Sequence, residues 1–235
     1  MPGLVFEVCT EGVAGAVAAE RAGAHRLELG SALAEGGVTP SLGLFKRVKG
    51  ASSLPVHVLI RPRAGDFVYA ESELGVMLED VAIFKEAGAD GLVFGGLTKT
   101  GSLALPEMTR LLEAADPLPV TFHRAFDVCR EPFKVLEQLV ALGVTRLLTS
   151  GQAGDALSGA KLLRALTEQA GDRLVVMAGG GVRASNAARI VRQTGVLELH
   201  FSAQKPVQPS LSPFNFGSPA LTDEGAAAAI VRSAS

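Results

Sequence analysis

Apolar and polar positions along this chain switch repeatedly between two periods. Four stretches set a glycine ahead of a run of branched or aliphatic residues: Ala22 to Leu29, Ala87 to Phe94, Leu142 to Leu148 and Thr194 to Phe201. Four more runs read as strands: Leu4 to Cys9, Pro55 to Ile60, Pro119 to Phe122 and Leu174 to Ala178. Helical spacing fills the gaps, over Glu11 to Ala22, Ser41 to Val48, Glu71 to Ala87, Leu105 to Ala115, Glu131 to Leu142, Ser158 to Ala170, Ala184 to Thr194 and Thr222 to Arg232. Gly23, Gly88, Gly143 and Gly195 fit the left-handed position that ends a helix. Thr39-Pro40 reads as a cap followed by a first-turn proline.

Eight strands alternating with helices imply a parallel sheet. Eight such units in 235 residues match a (β/α)8 barrel of the TIM type, forming a single domain over residues 1–235. An open doubly wound sheet is the rival arrangement. The glycine-rich turn Gly179-Gly180-Gly181 lacks the spacing of a dinucleotide fingerprint, so no organic cofactor is indicated. Residues 203–221 form an irregular segment before the last helix. Its Phe214 and Phe216 are expected to pack on something.

Composition narrows the function. Hydrophobic residues make up 48% and charged residues 20%, enough apolar surface for a large core. A net charge of −2 gives no basic face for a nucleic-acid partner. The absence of an apolar run of about eighteen residues argues against a membrane span. The start Met1 to Glu7 lacks the pattern of a secretory signal, so a cytoplasmic protein with Cys9 and Cys129 reduced is expected, a disulfide being the alternative.

Strand side chains alternate faces, and inward-facing residues at the carboxyl ends of barrel strands meet in one mouth. That places Glu7, Glu28, Arg61, His123, His200 and Ser202 together, with Arg63, Asp66, Arg124 and Asp127 in the following loops. His123, Arg124 and Asp127 stand within five residues of one another. Buried charges must pair among themselves or with a ligand. One reading is a self-satisfied ring of salt bridges. The other is a site for a small anionic molecule, held by Arg61, Arg63 and Arg124. In that reading His123 or Glu7 acts as general base, and Asp127 or Glu28 orients the imidazole or an arginine. Gly180 and Gly181, ahead of a helix, would take a phosphate. Glu7, Glu28, His123 and His200 also form an oxygen and nitrogen set for a divalent ion.

Several segments together resemble the CutC family, long named copper homeostasis proteins. They are Phe6-Glu7-Val8-Cys9, Arg26-Leu27-Glu28-Leu29, Glu35 to Ser41, Ile60 to Phe67, Thr121 to Asp127, Leu148 to Gly151 and Ala178 to Gly181. The resemblance covers the chain from Leu4 to about Ser202. It implies a TIM-type barrel, a cytoplasmic location, a homo-oligomer and a role in copper handling by Cu(I) binding through Cys9. In members of that family a cysteine just after the second strand often partners the one matching Cys9. This chain carries Gly30 there, so the pair of thiolates is missing.

Overall fold

The computed structural model describes residues 3–206 and 220–234. Eight parallel strands close into a barrel in chain order: β1 (Val5–Thr10), β2 (Arg26–Leu29), β3 (Val56–Leu59), β4 (Gly91–Phe94), β5 (Val120–Phe122), β6 (Arg146–Thr149), β7 (Val175–Gly179) and β8 (Glu198–Phe201). β8 returns to pair with β1, which rules out the open-sheet alternative. Eight helices alternate with them: α1 (Val13–Arg21), α2 (Leu42–Lys49), α3 (Glu71–Glu86), α4 (Leu105–Ala115), α5 (Pro132–Ala141), α6 (Ala160–Ala170), α7 (Ala187–Thr194) and α8 (Glu224–Ala234). Among the described residues no helix is long and apolar enough to cross a membrane.

The outward face of each strand is apolar. Phe6, Val8, Leu27, Leu29, Val58, Ile60, Leu92, Phe94, Phe122, Leu147 and Leu199 are buried there. They pack in one continuous core with helix residues such as Ala16, Phe45, Met77, Phe84, Met108, Leu139, Leu163 and Ile190. Each such side chain contributes on the order of 2 kcal/mol through the surface it removes from water. The four glycines that precede strands all take positive φ, between 74° and 88°, as their positions after helices require.

The start of α2 differs from expectation. Ser41, not Thr39, is its cap: the Ser41 hydroxyl accepts from the Leu44 N–H at 3.1 Å, so Pro40 lies outside the helix. The Thr39 hydroxyl instead accepts from the Arg61 N–H at 2.9 Å, tying the chain ahead of α2 to the end of β3. The segment after β8 holds two short strands, β9 (Gln204–Pro206) and β10 (Ala220–Thr222), paired antiparallel. Phe214 and Phe216 lie outside the described residues.

Candidate functional site

Register between neighbouring strands assembles the barrel interior. Across β1 and β8, Glu7 lies opposite His200; across β1 and β2, Cys9 lies opposite Glu28. Residues two apart on a strand share a face with roughly 7 Å between them, so the interior fills in layers.

The lower layer is an ion-pair network. Glu198 Oε2 accepts from Arg26 Nη2 and from Arg146 Nε, each at 2.5 Å, and its Oε1 accepts from Arg146 Nη2 at 3.1 Å. Glu7 Oε2 accepts from Arg26 Nε. Glu7 Oε1 meets His200 Nδ1 at 2.8 Å. Burial alone would raise the pKa of Glu7, but the charge of Arg26 and the bond to His200 outweigh it and hold the carboxyl far below the usual range. Glu7 is therefore an anionic anchor with both oxygens engaged, not the general base its position on β1 suggests. A ring of paired charges exists one layer below the mouth, with Arg146 Nη1 left without a hydrogen-bond partner.

Glycines at the start of β4 and just past its end shape the interior. A Cβ at Gly91 would stand 2.6 Å from the ring of His57, and one at Gly95 would stand 2.8 Å from Nδ1 of His123. The two imidazoles occupy that space. Burial pushes the pKa of His57 down to about 4.

Above the network a cavity of about 670 Å³ opens at the carboxyl ends of the strands. Its wall includes Cys9, Glu28 and His200 from β1, β2 and β8, Arg61 just past β3, His123 just past β5, and Arg124, Gly180, Gly181 and Ser202 from the following loops. Nine of the thirteen residues singled out from sequence thus share one cavity. Glu7, Arg63, Asp66 and Asp127 do not.

Arg63 is directed into its own loop. Its Nε bonds Glu73 at 2.5 Å, one Nη bonds Asp66 at 3.0 Å, and the guanidinium lies 5.4 Å from the centre of the Tyr69 ring. It folds the β3–α3 connection and does not line the cavity. Asp127 does not orient an imidazole either. Its carboxylate accepts from the Thr149 hydroxyl, from the Ser150 N–H and hydroxyl at 3.0 Å each, and from Arg124 Nε at 2.7 Å. It pins the loop after β6.

Cys9, Glu28 and His200 each offer a donor atom, all within 4.8 Å of one another. The Cys9 thiol donates to Glu28 Oε1 at 3.2 Å. Burial, then the adjacent Glu28 carboxylate, push the thiol pKa well up. Burial likewise raises Glu28, with Glu7 adding to it, and Glu28 Oε2 is buried without a hydrogen-bond partner. For His200, burial opposes the charged form, but Glu28 and Glu7 outweigh it and raise the pKa. Because Glu7 engages Nδ1, the Nε2 of His200 faces the other two donors, 3.9 Å from Glu28. A carboxylate behind a histidine is the arrangement that orients an imidazole toward a metal.

His123 closes β5 and caps the short 3-10 helix Arg124–Val128. Its Nδ1 accepts from the Ala125 N–H at 3.2 Å, so the ring proton sits on Nε2. Burial, then the charge of Arg61, push its pKa down to about 3, and the ring is neutral at neutral pH. Arg61 is 4% exposed, and its terminal nitrogens donate to the carbonyls of Gly37 at 2.6 Å and Gly65 at 2.7 Å. Phe67 serves both residues: Arg61 lies 5.0 Å from its ring centre and the His123 ring 4.8 Å away. The glycine loop is less open to a phosphate than its sequence suggests. The Asp155 side chain abuts Gly181, and the Arg183 N–H is taken by Asn186 at 2.7 Å.

A family model described as the CutC family matches residues 4–205 of the chain. The chain belongs to the CutC family. A human relative named copper homeostasis protein cutC homolog is 49% identical over 202 residues, 86% of this chain and 74% of that one. A CutC family protein of Bacteroides thetaiotaomicron is 46% identical over 207 residues, 88% of this chain and 83% of that one. A solved CutC from Streptococcus agalactiae, described only provisionally as a copper homeostasis protein, has a TM-score of 0.81 and 38% identity, covering 85% of this chain and 98% of that one. Phosphoribosylanthranilate isomerase from Thermotoga maritima, at 11% identity and a TM-score of 0.60, shares the barrel fold alone.

Four interior residues, Arg26, His57, Arg146 and Glu198, lie outside the site set expected from sequence, although alternation puts Arg26, His57 and Glu198 on the inner face. Phe67 gave no such signal, since it lies in a loop.

Proposed function

We propose that this CutC family member handles copper by holding one ion, as cargo, between Cys9, Glu28 and His200. The observation that carries this reading is the convergence of a thiol, a carboxylate and an imidazole within 4.8 Å, with the imidazole held from behind by Glu7. The donor set bears on which copper ion fits. Cu(I) prefers soft sulfur ligands, and only one sulfur belongs to this group. A Cβ at Gly30 would come within 3.3 Å of Leu33 and Leu59, so leucine side chains fill the place of a second thiol. One sulfur, one nitrogen and one oxygen favour a borderline ion such as Cu(II), which stands at the top of the divalent affinity order.

Binding requires that Cys9 and Glu28 lose their protons, and both hold them more tightly than usual. Copper affinity therefore rises with pH. Competition titration against a chromogenic chelator tests the reading. One Cu(II) per chain is expected, bound more tightly at pH 8 than at pH 6. Cys9→Ser should weaken binding by more than the roughly tenfold that loss of an outer partner costs. Stoichiometric copper that survives both Cys9→Ser and His200→Ala would rule the trio out.

A further inference from the structure

Past the ends of β3 and β5 the same cavity carries a different chemistry. His123 and Arg61 are 6% and 4% exposed, and each has a buried nitrogen without a hydrogen-bond partner: Nε2 of His123 and Nε of Arg61. Both are donors by construction. The backbone N–H of Ala125 occupies the acceptor side of the His123 ring, which leaves an unpartnered neutral N–H on a residue that lines the cavity. Arg61 forms no ion pair among the described residues. Its other nitrogens donate to carbonyls, which satisfy geometry but carry no compensating charge. Buried cations are ordinarily paired with an anion.

The rest of the wall has the same sign. Arg124 uses Nε on Asp127 and Nη2 on Ser150, and its guanidinium comes 3.4–3.5 Å from the Cβ position of Gly180. Arg183 also lines the cavity. Glu28 is the single carboxylate on the wall among the described residues, and it belongs to the copper trio. Asp155 and Asp127 stand behind the rim loops, Asp127 already paired with Arg124. The Phe67 ring lies against both Arg61 and His123, keeping them dry and fixed.

We propose that Arg61, His123 and Arg124 form a binding site for an oxyanion, the carboxylate or phosphate group of a small molecule, separate from the copper trio in the same cavity. The site rests on the two unpartnered buried donors and stands whether or not the trio holds copper. A neutral N–H beside a fixed guanidinium suits an anion whose oxygens need several donors at once.

Calorimetric titration of the metal-free full chain with inorganic phosphate, and separately with malonate, tests it, with sodium chloride at matched ionic strength as the control. Saturable binding of one anion per chain is expected, and the tighter of the two probes identifies the group. In His123→Asn the amide oxygen can still accept from Ala125, while the Nε2 donor is gone. That variant should bind about tenfold more weakly, the effect of losing one hydrogen bond to a charged group. Cys9→Ser should leave anion binding unchanged while removing copper, so the two readings fail independently. If the asparagine variant does not fold, the wild-type Nε2–H resonance of His123 should move on saturation with phosphate. Absence of saturable binding by either anion overturns the site, as does full affinity in His123→Asn or an unmoved His123 resonance at saturation.

Discussion

At the scale of single residues, depth decides role. Glu7 and Cys9 share one face of β1 and differ by one layer. The upper residue reaches the cavity; the lower one is sealed beneath His200. Alternation along a strand reveals the face but not the height, which is why a general base was expected at Glu7. The same limit concealed Glu198, which bridges two arginines. Replacing it by leucine strands Arg146 without its carboxylate and leaves Arg26 with Glu7 alone. Urea unfolding should show a loss of about 3–5 kcal/mol, the usual cost of breaking a buried pair from one side. A change below about 1 kcal/mol, typical of exposed pairs, would mean the network is solvated. Gly30→Cys tests the donor argument in the other direction. The obstructing atoms are the tips of Leu33 and Leu59, which can rotate. A second sulfur there should shift preference toward Cu(I), read as a rise in Cu(I) affinity relative to Cu(II) in the same chelator competition.

At the scale of elements, the site depends on how strand ends are tethered to loops. Asp127 is a loop residue by sequence and a loop organiser by structure. Its carboxylate joins the short 3-10 helix after β5 to Thr149, Ser150 and Gln152 after β6. Nothing in the order His123-Arg124-Asp127 distinguishes that from a catalytic carboxylate, because the partners lie more than twenty residues away. Asp127→Ala should lose about 2–3 kcal/mol, since several bonds to one charged group do not add fully. Hydrogen exchange should locate the effect at the amides of Ser150 and Gln152. Protection that falls evenly over the whole barrel would point to global destabilisation instead. The strands and helices themselves were readable. Their apolar faces alternate cleanly, and observed boundaries lie within about three residues of those expected. The α2 cap moved by two residues because Thr39 was drawn to Arg61, a tertiary contact invisible locally.

For the whole molecule, the buried histidines set the acid limit of stability. His57 and His123 have folded pKa values near 4 and 3, below the ordinary value of 6.5. Their neutral forms stabilise the fold fully above pH 6.5. As pH falls toward the folded values, the unfolded chain takes up protons that the folded chain refuses. Each group then removes up to about 1.4 kcal/mol per pH unit. Glu28 and His200, with raised values, act in the opposite sense: their contributions are lost as pH rises. His200 acts above pH 6.5 and Glu28 offsets only one of the two histidines, so stability should fall between pH 6.5 and 4.5. The slope of unfolding free energy against pH should drop by about 1.4 kcal/mol per unit in His123→Asn. An unchanged slope would place the titrating group elsewhere. The barrel was legible in the eightfold alternation, and its closure was confirmed by the pairing of β8 with β1. What the alternation lacks is any record of which inner charges satisfy one another.

Two rings occupy the gaps left at Gly91, where β4 begins, and at Gly95, just after it ends. A stretch that contributes by omission constrains descent as firmly as one that supplies a nucleophile. Even a methyl group at position 95 has no room while an imidazole stands at 123, and positions 91 and 57 are bound in the same way. In lineages that keep this interior, bulk at one member of each couple should exclude the ring at the other. A folded descendant carrying alanine at both gaps with both rings unmoved would show that the barrel widens to admit them.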